Sequence, residues 1–251
     1  SSHLYMSRTA HLVDEAEIDG VLSRFTQLNV LHLQGLAMAG DDIIDKINGA
    51  PCARIVKELS LGGCALSYWC PMSLRLPNLR ILHLKGGFIR VSIAGLLRES
   101  SERLEGLAIE QCSLVRDETI HEISPLLRNT LLDFQLNQCT RLRSPILQFH
   151  ALQSLKLVGG FNIQRFPNFD CPNIRHLDLS FCVKLTSEGL ANVLATIPEL
   201  ETLKLVKCCR LQSLDLPSKK VRIVDITYCH ALKDVRIASP ELRDARTLAC
   251  L

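Results

Sequence analysis

The chain has 251 residues, a net charge of +3 and 47% hydrophobic residues, which is enough apolar material for a large core. The nearly balanced charge argues against a dedicated nucleic-acid binder, because such proteins carry a strong basic excess. The sequence has no run of about 18 or more apolar residues, so it predicts no membrane span. Its N-terminus lacks a basic start followed by an apolar stretch, so it predicts no signal peptide either.

Leucine and cysteine are both unusually frequent in this chain. Leucine occurs 45 times and cysteine 11 times. A core built mainly from leucine predicts repetition of one small motif. The odd number of cysteines, in a chain without an N-x-S/T sequon, favours free thiols over paired disulfides. We therefore expect a reducing compartment, either cytoplasmic or nuclear.

A nine-residue template, L-x-x-L-x-L-x-x-C/N, recurs ten times at intervals of 21 to 28 residues, which is the spacing typical of leucine-rich repeats. The ten copies begin at Leu28, Val56, Leu79, Leu104, Leu131, Leu152, Ile174, Leu200, Val221 and Leu242. The L-x-L alternation predicts a short strand whose leucines point inward while the residue between them points outward. Stacked copies predict an α/β leucine-rich-repeat solenoid, right-handed and curved, with a parallel concave sheet.

The ninth position of the template carries most of the cysteines. Seven of the 11 fall there: Cys64, Cys112, Cys139, Cys182, Cys208, Cys229 and Cys250. Cysteine suits this position as a small, buried residue with a weak S–H donor. A metal site would favour paired spacings such as C-x-x-C, and the sequence contains none. The cysteines are therefore interpreted as structural, and no metal site is predicted.

The segments that return from one strand to the next are of two kinds. The longer repeats carry amphipathic helical patterns that begin near capping residues, at 14–25, 41–48, 92–102, 117–128 and 186–196. Pro125 is expected to kink or end the fourth helix near Ser124. The shorter repeats have extended returns instead, at 211–218 and 232–240. The convex side should thus consist of short helices alternating with extended returns.

Both ends of the chain bear on its domain organisation. Residues 4–6 (LYM) lie 27 residues before residues 31–33 (LHL), so they are expected to form the strand of an eleventh copy. Residues 1–251 are predicted to form a single domain of about 10–11 repeats. Solenoids normally carry polar caps at their ends, and neither end shows one. We therefore expect the chain to be an excerpt of a longer protein.

The cysteine-bearing repeat, in which C-x-x-L precedes S/T-x-x-G/I-L, resembles the repeats of the F-box/leucine-rich-repeat protein family. The clearest stretches are residues 176–208 and 107–127. The resemblance implies a protein–protein interaction module that serves as the substrate-recognition region of an F-box-type cullin ubiquitin ligase. Ligase components would then bind through regions outside this chain. A non-ligase scaffold, or a ligand-sensing domain within a larger complex, stays open as the alternative.

The outward residues of the concave face are the candidate binding site for a protein partner or peptide. The predicted set is His32, His83, Lys85, Gln135, Lys156, His176, Asp178, Phe181, Lys204, Lys207, Asp225 and Tyr228. Their mixed charge favours a protein surface over a phosphate-binding groove. Phe181 and Tyr228 are candidate aromatic anchors, and the alternative is that each packs over the turn of a neighbouring repeat.

The sequence carries no sign of catalysis or of a cofactor. It has no glycine-rich phosphate loop, and His176 and Asp178 share a strand face without an activated nucleophile nearby. His32 and His83 occupy one column two strands apart, roughly 10 Å from each other, which is too far for them to bind one metal ion. We therefore predict a protein that is not an enzyme and that uses no cofactor, metal, membrane or nucleic acid.

Overall fold

The computed structural model describes residues 3–7, 15–35, 42–63, 73–86 and 92–247. The chain forms two compact units, Ser1–Leu114 and Val115–Leu251, and each contains leucine-rich repeats. The predicted single domain of 10–11 repeats stays a prediction. Cys64 and Cys250, which the sequence places at the ninth position, lie outside the described residues, as do the expected helix starts at residues 14 and 41.

The first unit is built around five parallel strands in chain order, β1-β2-β3-β4-β5. Its strands are β1 (His3–Ser7), β2 (Val30–Gln34), β3 (Glu58–Gly62), β4 (Ile81–Lys85) and β5 (Gly106–Glu110). Its helices are α1 (Glu15–Arg24), α2 (Asp42–Gly49) and α3 (Ile93–Leu97), with a 3-10 turn at Ser101–Arg103. Strand β1 confirms the eleventh copy expected at residues 4–6.

The second unit repeats this plan with six parallel strands in the order β6-β8-β10-β11-β13-β15. These strands are β6 (Asp133–Asn137), β8 (Ser154–Lys156), β10 (His176–Asp178), β11 (Thr202–Lys204), β13 (Ile223–Asp225) and β15 (Asp244–Arg246). Its helices are α4 (Asp117–Leu127) and α5 (Ser187–Leu194). Short strands in the return segments are β7 (Leu147–Gln148), β9 (Phe169–Asp170), β12 (Ser213–Leu216) and β14 (Asp234–Ile237).

The leucines of the L-x-L pattern form the core of both units, as the sequence predicts. In β2, Leu31 and Leu33 are fully buried while His32 between them is not. In the second unit Leu203 and Leu205 are fully buried on either side of exposed Lys204. Burying one leucine side chain contributes about 1.5–3 kcal/mol. Repetition of this small unit is thus what stabilises the solenoid.

Ninth-position cysteines of the second unit link three repeats to the ones that precede them. The thiols of Cys182, Cys208 and Cys229 donate to the carbonyl oxygens of Leu157, Leu179 and Leu205, at Sγ–O distances of 3.3, 3.2 and 2.9 Å. Each acceptor is the second leucine of the preceding strand motif. Burial raises the pKa of the Cys182 thiol to about 12 and that of Cys112 to about 11. These thiols therefore stay protonated at neutral pH and serve as donors.

The returns follow the predicted division into helices and extended segments. Strands β12 and β14 pair in parallel over four residues each, which confirms the extended returns at 211–218 and 232–240. The sequence analysis missed a second such pair, β7 with β9. Ser92 and Thr186 cap helices α3 and α5 by accepting hydrogen bonds from the backbone N–H of Gly95 and Gly189, both at 3.1 Å.

Pro125 does not end the fourth helix near Ser124, because α4 continues to Leu127, and the alternative of a kink at this point stays a prediction. Pro125 is exposed, so water can reach the carbonyl group that loses its partner. The Ser124 hydroxyl donates to the Ile120 carbonyl at 2.9 Å, which adds a contact within the same turn. Ile123 and Leu127 are fully buried, and their packing offsets the backbone hydrogen bond that proline removes.

A buried carboxylate in one of these strand motifs should unfold the repeats around it. Leu179 and Leu205 are both fully buried, so Leu179→Asp or Leu205→Asp should destabilise the second unit by about 3–5 kcal/mol or more. Thermal unfolding followed by circular dichroism measures this loss. Gln212→Asp, at an exposed position, is the control and should melt like the wild type. An unchanged melting temperature for either leucine variant would contradict the repeat register.

Chemical labelling should separate the buried thiols from the exposed one. Among the described cysteines Cys209 is exposed, whereas Cys182, Cys208 and Cys229 are buried. We expect alkylation of native protein by iodoacetamide at pH 8 to modify Cys209 at least ~100-fold faster than these three, because the thiolate is the nucleophile. Mass spectrometry of timed samples gives the rates. In denaturant all four should react alike, and rapid native labelling of Cys208 would contradict its structural role.

Candidate functional site

The outer strand face, meaning the side chains that alternate with the buried leucines together with the turn residues that follow them, carries all twelve predicted site residues. Three of them, His32, His83 and Lys85, belong to the first unit. The other nine belong to the second unit, and they are Gln135, Lys156, His176, Asp178, Phe181, Lys204, Lys207, Asp225 and Tyr228. Their binding role stays a prediction, and the two groups are described separately.

In the described part of the chain, the turns after nine strands of the two main sheets have a left-handed residue at the eighth template position. Nine residues there have φ between 55° and 114°, namely Gly35, Gly63, Gly86, Gln111, Gln138, Gly159, Phe181, Lys207 and Tyr228. Glycine adopts this conformation freely, whereas other residues lose roughly 1–2 kcal/mol each. The Gly-Gly pairs of the sequence are therefore a consequence of this turn. Sequence reasoning missed the left-handed position, although its four glycines could have indicated it.

Three consecutive repeats of the second unit place a bulky side chain at this left-handed position. Lys207 lies between two aromatic rings, with its Nζ 5.3 Å from the centroid of the Phe181 ring and 5.7 Å from that of Tyr228. Such cation–π contacts contribute about 0.5–1 kcal/mol each at exposed sites. Phe181 is half-buried, whereas Tyr228 keeps 43% of its surface exposed. We call Phe181, Lys207 and Tyr228 the aromatic–lysine ladder.

The central column of the same face alternates in charge from strand to strand. Backbone register aligns Lys156 with Asp178, Asp178 with Lys204, and Lys204 with Asp225. Asp178 Oδ1 accepts a hydrogen bond from the backbone N–H of Ser180 at 3.0 Å, two residues further along the chain. Asp225 Oδ1 accepts in the same way from the N–H of Thr227 at 3.1 Å. The aspartates thus stabilise the turns that follow their own strands.

An open depression of about 310 Å³ lies in the middle of this column. Four predicted site residues line it, and the full lining is Ser154, Leu155, Lys156, His176, Leu177, Asp178, Thr202 and Lys204. His176 and Asp178, which share a strand face, form no hydrogen bond with each other within the described part of the chain. We call this depression the recess, because charged side chains line it on the surface of the sheet.

Gln135 and Asp225 lie outside this recess. The Gln135 amide donates from Nε2 to Asp133 Oδ2 at 2.7 Å, within strand β6. Asp225 also accepts from the Thr227 hydroxyl. Both side chains are half-buried and form hydrogen bonds within their own repeats. They therefore contribute a fixed shape and fixed dipoles to the outer face.

In the first unit, His32 and His83 lie closer together than their strands suggest. Their ring centroids are 6.5 Å apart, against the roughly 10 Å expected from two strand spacings. The small, buried Ser60 lies between them in register, so both rings lean over it. His32 Nε2 lies 2.7 Å from Glu58 Oε1. Lys85 pairs with Glu110 at 3.6 Å.

The sequence analysis did not identify Tyr5 as part of this face. Its ring contacts His32 edge-on, with centroids 4.7 Å apart, and 65% of Tyr5 is exposed. Tyr5 lies in register opposite His32, and this alignment of the two repeats could have identified Tyr5 as part of the face.

Metal binding and membrane insertion were considered as other functions of the described residues. No group of three or more histidine, cysteine or acidic residues there has an arrangement that could hold a metal ion. None of the helices in those segments combines the length and apolar character needed to cross a bilayer.

A second cavity, of about 490 Å³, lies beside the start of α4 and is lined almost entirely by polar residues. Asp117 accepts hydrogen bonds there from the backbone N–H groups of Arg143 and Ser144, both at 3.0 Å. This carboxylate joins the first turn of the helix to the following loop. We therefore interpret this cavity as a structural feature of the repeats and not as a binding site.

Stacked parallel strands, a core of repeated leucines and an outward face of varied side chains define a leucine-rich-repeat protein-interaction module. Residues 126–249 match the leucine-rich repeats of the FBD-associated F-box protein At5g56370. The match lies within the second unit and includes the recess and the aromatic–lysine ladder. It confirms the resemblance to F-box/leucine-rich-repeat proteins that the cysteine-bearing repeats indicated.

Comparison with solved structures gives the same fold. One similar structure is the crystal structure of the Rad7 and Elc1 complex in yeast, with 17% sequence identity and a TM-score of 0.58. The similarity covers 85% of this chain and 60% of that chain. At this identity the likeness shows the fold alone. Comparison with curated proteins gives no match.

Replacing Tyr228 tests the left-handed turn. Tyr228→Gly and Tyr228→Ala both remove the ring, but only glycine avoids the steric cost of a Cβ atom at φ of 61°. We expect the glycine variant to be the more stable by about 1 kcal/mol in chemical unfolding. At exposed Asn192 in α5 the order should reverse, with alanine more stable than glycine by about 1 kcal/mol. Equal stability of the two Tyr228 variants would contradict the turn geometry.

Proposed function

We propose that this chain is the substrate-recognition region of an F-box-type cullin ubiquitin ligase, and that it binds its protein partner through the outer strand face of the second unit. One observation carries the proposal. The part of the chain that matches the repeats of an F-box-associated protein also presents a charged recess and, on neighbouring repeats, the aromatic–lysine ladder.

The chemistry of this face favours a protein partner. Tyrosine is among the side chains that most often dominate protein–protein binding energy, and Tyr228 is exposed. Charges of both signs alternate along the central column, which supplies specificity for a complementary protein surface. A groove that follows a nucleic-acid backbone would need a more uniform positive charge.

The proposed function requires recognition and no catalysis by this chain. Burial raises the pKa of the Cys171 and Cys182 thiols to about 12, so neither is a nucleophile at neutral pH. Transfer of ubiquitin would be carried out by other subunits, bound through regions outside this chain. The many free cysteines suit the reducing cytoplasm or nucleus, where we place the protein.

Affinity purification of the full-length protein that contains this chain tests the proposal. The natural protein and the double variant Phe181→Ala/Tyr228→Ala are purified from the same cells, and co-purifying proteins are quantified by mass spectrometry. We expect a cullin and its adaptor with both proteins, because the ligase would assemble elsewhere. The substrate should fall at least about tenfold with the double variant, since each lost anchor costs ~2 kcal/mol.

Val235→Ala is the matched control, because Val235 is as exposed as Tyr228, at 43%, but lies on return strand β14. It should retain every partner. A stable complex without any cullin or adaptor would contradict the ligase function and identify the module as a scaffold. Partners that are unaffected by the double variant would contradict the assignment of the binding face.

A further inference from the structure

We infer that the outer strand face of the second unit recognises an acidic segment of a protein partner, whose carboxylates pair with Lys156 and Lys204 and whose neighbouring side chains lie on the aromatic–lysine ladder. This inference rests on the proposed function and specifies the chemistry of the partner.

The two lysines of the recess have no acidic partner, unlike the arginines along the edge where their strands begin. Along the edge where the strands begin, Glu201 pairs with both Arg175 and Arg222 at 3.4 Å, and Arg222 also pairs with Glu241 at 3.0 Å. In contrast, neither Lys156 nor Lys204 forms an ion pair within the described part of the chain, although both are exposed. Their positive charge is available to a ligand.

The aspartates between these lysines do not neutralise them directly. Asp178 lies in register between Lys156 and Lys204, but its carboxylate turns to the backbone N–H of Ser180. Asp225, beyond Lys204, turns in the same way to Thr227. Because both carboxylates are held by their own turns, the ammonium groups project from the face without an acceptor.

The spacing of the lysines suits two separate carboxylates. Two strand spacings place the Lys156 and Lys204 backbones roughly 10 Å apart, so each lysine can pair with its own acidic side chain. Asp178 between them would also repel a dianion more strongly than a carboxylate. Two acidic side chains of one peptide segment, one on each lysine, meet both constraints.

The aromatic–lysine ladder adds a third cation and an apolar surface. Four other repeats have glycine at this left-handed position, so the fold does not require a side chain there. Strained residues of this kind cluster at functional sites. Lys207 is held between the Phe181 and Tyr228 rings, which fixes its ammonium group while leaving it exposed. In the partner segment, an acidic residue would pair with Lys207, and an apolar residue next to it would pack against the Phe181 and Tyr228 rings.

Selection from a random peptide library displayed on phage tests the inference with the full chain as bait. The wild type should enrich peptides rich in Asp and Glu. The charge-reversed variant Lys156→Glu/Lys204→Glu should bind these peptides at least about tenfold more weakly and should instead enrich peptides rich in Lys and Arg. The matched control Lys219→Glu/Lys233→Glu changes exposed lysines of the return segments and should select like the wild type. Circular dichroism verifies that all three proteins fold.

Synthetic versions of a selected peptide complete the test. Replacing its Asp and Glu by Asn and Gln should abolish binding, and binding that appears only with phosphoserine would overturn the carboxylate assignment. Enrichment of neutral or basic peptides by the wild type, or no enrichment at all, would also overturn the inference. None of these outcomes tests the proposed function, which the affinity purification tests separately. Loss of a substrate with Phe181→Ala/Tyr228→Ala in that experiment would still support the proposed function.

Discussion

Most repeats of this protein bury two apolar side chains of a short strand, usually leucines, and the chain then leaves the sheet within three residues. The burial supplies most of the stabilising free energy, but the abrupt turn leaves backbone groups that need partners. In the cysteine-bearing repeats, a left-handed residue at the eighth position and a buried thiol at the ninth satisfy this requirement. The thiol donates to a leucine carbonyl of the preceding repeat, as Cys229 does to Leu205 at 2.9 Å, so turning the chain also joins neighbouring repeats.

This constraint also explains where recognition is located. Because the leucines must point inward, the residue between them points outward and is free to vary. The eighth residue can also vary, but for another reason. Glycine adopts the left-handed turn conformation without strain, and any other residue there raises the free energy of the folded state. Phe181, Lys207 and Tyr228 are such additions, on three consecutive repeats. A charged column and a strained ladder thereby come together on one rigid surface of the second unit.

The spacing of the template was sufficient to predict the strands of the main sheets, the burial of the leucines and one pair of extended returns, β12 and β14, but not the pair β7 and β9. The helix boundaries were harder to predict from the sequence, because the packing of Ile123 and Leu127 allows α4 to continue past Pro125. The candidate site was predicted only as an outward set of residues. The sequence did not indicate that Asp178 and Asp225 would turn to their own backbones, because that choice depends on the conformation of the following turn.

The sequence by itself determined the repeat, its period, the inward leucines and the positions of the buried cysteines, because each follows from local alternation and from one recurring turn. Tertiary structure decided which outward side chains meet. Lys207 contacts two rings only because adjacent repeats stack in register, and His32 approaches His83 only because Ser60 between them is small. Contacts between repeats depend on distances across the sheet, and these distances are not encoded in the periodicity of any single repeat.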